Sequence, residues 1–135
     1  MEITRNSTAT HAGPPDSFTG AVYFDAMASA SKFSCLTASS VHFTPGARTA
    51  WHTHPCGQSI YVTDGVGRCQ RRGGSIEIIR PGDRVYFEPG EDHWHGADPT
   101  RFMRPVAMQE VDDQGSFVVW GEHVTEQQYN AEPPA

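Results

Sequence analysis

The sequence predicts an all-β fold built as one domain of 135 residues. Thirteen glycines and ten prolines recur as breaks between short apolar runs. Short runs joined by turns are typical of strands, whereas a helical protein would show longer segments with a 3.6-residue period. The clearest helix-start pattern is Thr125-Glu126-Gln127-Gln128, near the C-terminus. These observations favour a sheet-rich core followed by one short helix.

The N-terminal third is predicted to contain an arm, two strands and a loop. Residues 1–17 are polar and are expected to form the arm. The aromatic and β-branched run over residues 18–25 predicts the first strand. Residues 26–35 lack a clear period and predict a loop or a single helical turn over a pocket mouth. Residues 36–43 predict the second strand, which ends at the turn over residues 44–46.

Strands and turns alternate through the rest of the chain. Further strands are predicted at residues 48–54, 58–63, 67–71, 75–79, 84–87, 102–111 and 117–120. Glycine at residues 73–74 predicts a hairpin between the third and fourth of these. The helix is expected to end near Tyr129, because Pro133 and Pro134 cannot continue it. The predicted domain therefore spans residues 18–130, with a flexible tail at 131–135.

Composition narrows the classes of partner. The chain has 16 acidic and 10 basic residues, a formal charge of −6 and a pI near 5.5. No basic stripe is present, so we expect no nucleic-acid partner. No apolar run approaches the ~18 residues that cross a membrane, and the N-terminus lacks the apolar core of a signal peptide. We therefore expect a cytoplasmic protein without a membrane partner.

The three cysteines do not suggest a disulfide framework. Cys35, Cys56 and Cys69 are odd in number and have no C-x-x-C spacing. They are expected to be free thiols in a reducing compartment. Cys56 lies between His54 and Gln58, within the histidine-rich segment. We expect it to be a small residue packed at a turn rather than a metal ligand.

Two short segments carry the chemistry of the sequence. In the first, His52 and His54 alternate along a strand and therefore point to one face, and Gln58 has the same parity. In the second, His93 follows a turn that begins at Gly82. Imidazoles gathered on one strand face are typical of a metal site.

These segments resemble the paired signatures of the cupin superfamily, G-x5-H-x-H-x3-E-x6-G and G-x5-P-x-G-x2-H-x3-N. Every spacing is kept over residues 46–65 and 82–97, with Gln58, Glu88 and Ala97 standing for Glu, Pro and Asn. The resemblance implies a cupin double-stranded β-helix, a jelly-roll barrel, here with a short C-terminal helix. It also implies one divalent metal, with the ligands His52, His54, Gln58 and His93.

The ligand set bears on the identity of the metal. It leaves positions open on an octahedral ion, which suits Mn²⁺, Fe²⁺, Co²⁺ or Ni²⁺ better than Zn²⁺. A narrower resemblance, over residues 45–55, 90–97 and 122–129, is to small bacterial cupin hydroxynitrile lyases. That resemblance implies Mn²⁺ and a lyase that cleaves or forms cyanohydrins through Lewis-acid activation of a hydroxyl oxygen.

Residues near the ligands are candidates for catalysis and substrate binding. His95, two residues beyond His93, is the candidate general base, with a structural histidine as the alternative. Gln109 could hydrogen-bond the substrate and help with the proton, or could be structural. The residues expected to face the pocket share strand parity with the ligands: Ser39, Val41, Phe43, Ile60 and Val62.

Other functions remain open on this sequence. They are an Fe²⁺-dependent cupin dioxygenase, a polyketide cyclase or isomerase, and a cupin that binds a small molecule without turnover. For each of these we expect a small-molecule ligand or substrate. A homodimer or homotetramer is also expected, with residues 1–25 and the outward-pointing His42 at the interface.

The amide of Gln58 yields a prediction about reactivity. Because an amide leaves the metal's charge uncompensated, the site should be a stronger Lewis acid than one with a carboxylate. We expect Gln58→Glu to lower lyase activity, measured as turnover of a cyanohydrin at saturating metal. Higher lyase activity in this variant would contradict the argument.

Overall fold

Two antiparallel sheets face each other in the computed structural model, which describes residues 1–5 and 9–135. Its elements are β1 (Thr10–Ala12), β2 (Phe18–Thr19), β3 (Val22–Ala28), β4 (Leu36–Phe43), β5 (Arg48–Thr49), β6 (His52–Thr53), β7 (Gln58–Gly65), β8 (Gly67–Arg71), β9 (Glu77–Ile79), β10 (Arg84–Phe87), β11 (His93–Ala97), β12 (Met103–Glu110), β13 (Val119–Trp120) and α1 (Glu126–Tyr129). The all-β prediction is therefore confirmed.

The strand order explains how the two sheets enclose a site. The first sheet has the order β1-β3-β4-β12-β7-β10. In the second, the order is β13-β6-β11-β5-β2, and β8 pairs with both β11 and β9. Apolar side chains on the inner faces of both sheets form the main core, which includes Val41, Phe43, Ile60 and Val62. Strand alternation directs these residues inward and His42 outward, as expected.

The predicted strand over residues 18–25 is wrong in one respect. Phe18–Thr19 pairs with β5 in the second sheet, whereas Val22–Ala28 pairs with β4 in the first. The chain crosses between the sheets at Gly20, which has a φ of +80°. A Cβ at this position would lie 2.9 Å from the Cβ of Ala47, so glycine meets both a conformational and a steric requirement.

The segment over residues 26–35 matches the predicted loop only in its second part. Its first three residues continue β3, and the remainder is closed by a bridge between Ser31 and Ser34 rather than by a helical turn. The arm predicted over residues 1–17 contributes β1, which pairs with β3. Residues 6–8 of that arm lie outside the described residues.

Two local predictions are confirmed in detail. Helix α1 begins with a capping box, in which the Thr125 hydroxyl accepts from the Gln128 backbone N–H and the Gln128 side chain accepts from the Thr125 N–H. All three cysteines are free thiols, and burial raises the pKa of Cys69 to about 12.

No helix in the described ranges has the length and hydropathy needed to cross a bilayer.

A second apolar cluster packs the C-terminal segment, residues 117–130, against the back of the second sheet. It consists of Trp51, Ile76, Trp94, Val124 and Tyr129. The Tyr129 ring lies 4.4 Å from the Arg48 guanidinium, and its hydroxyl donates to the carbonyl of Ala97 at 2.5 Å. Arg48 also donates to the carbonyl of Val124 at 3.0 Å. The strand β11 is therefore packed on both faces.

Removing this anchor should destabilise the domain. We expect Tyr129→Ala to lower the free energy of unfolding by about 3–5 kcal/mol, because it leaves a cavity and an unpaired carbonyl. The matched control is Phe33→Ala, since Phe33 is 88% exposed and its loss should change stability by less than about 0.5 kcal/mol. Urea unfolding measures both, and equal midpoints for the two variants would contradict the assignment.

Candidate metal centre

Strand pairing brings the two histidine segments together. His52 lies opposite His93 in the pairing of β6 with β11. Alternation along β11 places His95 on the same inward face as His93. His54 follows β6, and Gln58 opens β7 in the facing sheet. All five side chains are buried.

The rings are close enough to share one ion. The centroid of the His52 ring lies 4.3 Å from that of His93 and 4.9 Å from that of His54. Ring nitrogens of His52, His93 and His95 all lie within 4.8 Å of one another. The structure thus brings His52 and His93 together with the candidate base His95, whereas His54 lies outside this three-histidine cluster and its ring centroid is 5.5 Å from that of His93.

Backbone carbonyls orient three of the four histidines. The Nδ1 atoms of His52, His54 and His93 lie 2.8, 2.6 and 2.8 Å from the carbonyl oxygens of Ala50, Phe117 and Glu91. A carbonyl can only accept, so each Nδ1 carries the proton and each Nε2 keeps its lone pair. The Nε2 of His54 is buried without a hydrogen-bond partner. This is the arrangement in which histidine ligates a metal.

Gln58 gives a further indication of a cation. Its Oε1 lies 3.2 Å from the Nε2 of His93, while its Nε2 donates to Gln109 at 3.0 Å. Burial lowers the pKa of His93 to about 4, so at neutral pH its Nε2 is an acceptor that faces another acceptor. A divalent cation would satisfy both atoms, and the neutral donor set of His52, His54, Gln58 and His93 therefore fits a metal.

His95 differs from the other histidines in its hydrogen bonding. Both of its ring nitrogens are buried without a partner, and its ring centroid lies 5.6 Å from that of Phe43, with the two ring planes nearly perpendicular. Burial lowers its pKa well below the usual range, with the nearby His93 adding to the effect. Distance alone would permit His95 as a ligand, but it lacks the carbonyl contact of the others. It is a neutral imidazole that can accept or donate a proton.

A cavity of about 280 Å³ opens beside these groups. Ser39, Val41 and Phe43 line it, together with Gln109. Ile60 and Val62 are not in its lining, because they lie deeper along β7 and are fully buried in the core. The structure adds lining residues that sequence reasoning missed: Pro14, Ser17, Phe18, Phe24, Thr37, Thr49, Ala107, Phe117, Val118 and Trp120.

Several of the missed residues come from the C-terminal segment. Strand β13 pairs with β6, and this places the Trp120 ring 4.8 Å from the ring of His52. Phe117 also supplies the carbonyl that orients His54. The aromatic residues over 117–120 were the available signal, but only the pairing with β6 connects them to the site.

Comparison with known proteins identifies relatives of the chain. Residues 39–104 match the family profile of the Cupin domain. An (R)-mandelonitrile lyase of Granulicella tundricola is 54% identical over 130 residues, covering 96% of this chain and 98% of that protein. A cupin-like protein of Thermotoga maritima is 34% identical with a TM-score of 0.82, covering 94% and 92% of the two chains.

The fold extends to more distant proteins. The polyketide cyclase RemF of Streptomyces resistomycificus superposes with a TM-score of 0.72 over 96% of this chain and 89% of the cyclase. At 16% identity this likeness concerns the fold alone.

The lowered histidine pKa values predict acid sensitivity in metal-stripped protein. Unfolded histidine titrates near pH 6.5, whereas burial lowers the pKa of His93 to about 4 and also lowers that of His52 and His54. Between these pH values the unfolded chain binds more protons, so stability is complete above about pH 6.5 and falls as the pH decreases.

For His93 alone, the loss between pH 7.5 and 5 should be on the order of 2 kcal/mol. Urea unfolding of the metal-stripped protein at the two pH values measures it. His93→Asn should reduce the difference, and equal midpoints at pH 7.5 and 5 in the wild type would contradict the prediction.

Proposed function

Because this chain belongs to the cupin family, we propose that it is a metal-dependent lyase that cleaves or forms cyanohydrins. The structural observation that carries the proposal is the buried, unpartnered His95, which lines the cavity together with three of the predicted ligands. The reaction class comes from the relative named (R)-mandelonitrile lyase. Together they favour proton transfer at a substrate hydroxyl over oxidation.

The metal would be held by His52, His54, Gln58 and His93. We favour Mn²⁺, with Fe²⁺, Co²⁺, Ni²⁺ or Zn²⁺ as alternatives. When bound, a divalent ion supplies a Lewis acid that favours negative charge on a substrate oxygen. The carbonyls that hold the three histidine Nδ1 atoms support this role, because they fix the rings before any ion binds.

His95 is the proposed proton acceptor in cyanohydrin cleavage. One of its ring nitrogens takes the hydroxyl proton, the electrons of that O–H bond form the carbonyl, and the C–C bond breaks with its electron pair leaving on cyanide. The protonated His95 then returns the proton to cyanide as it departs. Burial lowers the pKa of His95, so its ring is neutral before the reaction and one ring nitrogen has a lone pair that can accept the proton.

The cavity supports a substrate with an apolar substituent. Its wall contains the aromatic rings of Phe18, Phe24 and Trp120, and no Asp or Glu is among its lining residues in the described structure. Such a wall favours an aryl or alkyl group and, without acidic side chains, does not repel the cyanide anion.

The first experiment is cyanide release from racemic mandelonitrile. Protein loaded with Mn²⁺ should release cyanide, while metal-stripped protein and His52→Ala should not, because the ligand set is then empty or incomplete. His95→Phe should bind Mn²⁺ normally but lose about 10²–10⁴-fold in kcat, since it lacks a base.

The matched control is His11→Ala, which removes an exposed histidine from β1 and should retain full activity. No release from the loaded wild type, together with O₂ uptake by Fe²⁺-loaded protein, would replace the lyase with a dioxygenase. Release that survives both metal removal and His95→Phe would contradict the mechanism.

A further inference from the structure

We infer that Thr37, acting through Gln109, determines which atom of the Gln58 amide faces the metal cavity. Thr37 is a positioning residue in this role: its hydroxyl is hydrogen-bonded to Gln109 and acts on Gln58 only through that residue. The inference rests on the proposed metal site and extends it to two residues beyond the ligands.

The three side chains form one row across the first sheet. Gln109 on β12 lies directly opposite Thr37 on β4 and directly opposite Gln58 on β7. Residues paired in this way point to the same face of a sheet, and all three side chains point into the barrel. Neighbouring side chains in such a row lie close enough for each to hydrogen-bond the next.

The hydrogen bonds run in one direction. The Thr37 hydroxyl donates to the backbone carbonyl of Gln109 at 3.1 Å, so its oxygen is free to accept the Gln109 side-chain Nε2 at 2.6 Å. This leaves the Oε1 of Gln109 toward Gln58, where it accepts the Gln58 Nε2 at 3.0 Å.

The consequence reaches the metal cavity. With its Nε2 engaged by Gln109, Gln58 presents its Oε1 toward the Nε2 of His93. An amide oxygen has lone pairs for a cation, whereas an amide nitrogen has none and would turn two N–H donors toward it. A flipped Gln58 would therefore oppose metal binding.

A carboxylate ligand would not need this arrangement. Both oxygens of Glu can bind a cation, so no partner has to choose between them. An amide has a correct and an incorrect orientation, and the choice must come from its neighbours. The hydrogen bonds from Thr37 through Gln109 to Gln58, called the relay below, supply that choice. They occupy both the Nε2 and the Oε1 of the Gln109 amide.

The reversed relay would cost Thr37 a hydrogen bond. If the Gln109 amide flipped, its Oε1 would have to accept a hydrogen bond from the Thr37 hydroxyl. That hydroxyl has one proton, which it already donates to the backbone carbonyl of Gln109. That carbonyl would then lose this bond inside a half-buried row. The Thr37 hydroxyl therefore biases the whole row toward the metal-binding orientation.

Two variants of one residue separate this role from packing. Thr37→Val keeps the shape and the strand propensity of the side chain but removes the hydroxyl, whereas Thr37→Ser keeps the hydroxyl. Metal-stripped proteins are titrated with Mn²⁺, and the free ion is followed by electron paramagnetic resonance. We expect Thr37→Val to weaken Mn²⁺ affinity about 10–100-fold and Thr37→Ser to change it less than about twofold.

A second readout needs neither metal nor activity. In metal-free protein, the side-chain amide protons of Gln58 should exchange slowly with water by ¹⁵N nuclear magnetic resonance, and faster in Thr37→Val than in Thr37→Ser. Equal thermal unfolding of the two metal-free variants would show that Thr37→Val is folded.

The outcomes divide clearly. Wild-type Mn²⁺ affinity in Thr37→Val, or equal weakening in both variants, overturns the role of the hydroxyl. A wild type that binds no divalent ion overturns both this inference and the metal-dependent function. A wild type that binds Mn²⁺ and depends on Thr37 but releases no cyanide supports this inference and contradicts the lyase alone.

Discussion

The site depends on the pairing of β6 with β11. This contact sets His52 opposite His93, joining two segments that are far apart in the chain. Its partner β8 holds β11 from the other edge, and the Trp94 ring packs behind it against Tyr129. The C-terminal segment therefore has two functions. It seals the back of the strand, and through Phe117 and Trp120 it also completes the front of the site.

A second constraint is the burial of neutral donors beside a cavity whose lining, in the described part of the chain, contains no Asp or Glu. Burial keeps His52, His54 and His93 uncharged, and their Nδ1 protons are used on backbone carbonyls. What remains are buried Nε2 lone pairs, and a buried lone pair costs free energy unless a cation or a hydrogen-bond donor satisfies it. These neutral donors thus favour a cation, as in the proposed metal site.

The sequence predicted what short-range spacing determines. Strand parity placed His52 and His54 together, and the capping box at Thr125 placed α1 correctly. It could not reveal that the chain changes sheets at Gly20, because apolar and aromatic residues continue on both sides of that glycine. Ile60 and Val62 have the predicted parity, but parity gives only the direction of a side chain and not its depth in the barrel. Whether the ring nitrogens of His95 have hydrogen-bond partners depends on which backbone carbonyls lie nearby, and only the tertiary structure shows this.

The departure from the cupin motif at Gln58 shows how one substitution constrains residues elsewhere. Residues 37, 58 and 109 are linked only by register, so their sequence positions give no sign that they form a unit. In the proposed metal site, an amide at position 58 would leave the charge of a divalent ion uncompensated, and it would add an orientation that the fold must specify. The Gln109 amide and the Thr37 hydroxyl provide that specification. Under this proposal Lewis acidity and amide orientation are coupled, because replacing the carboxylate by an amide would strengthen the Lewis acid and would also require the fold to orient that amide.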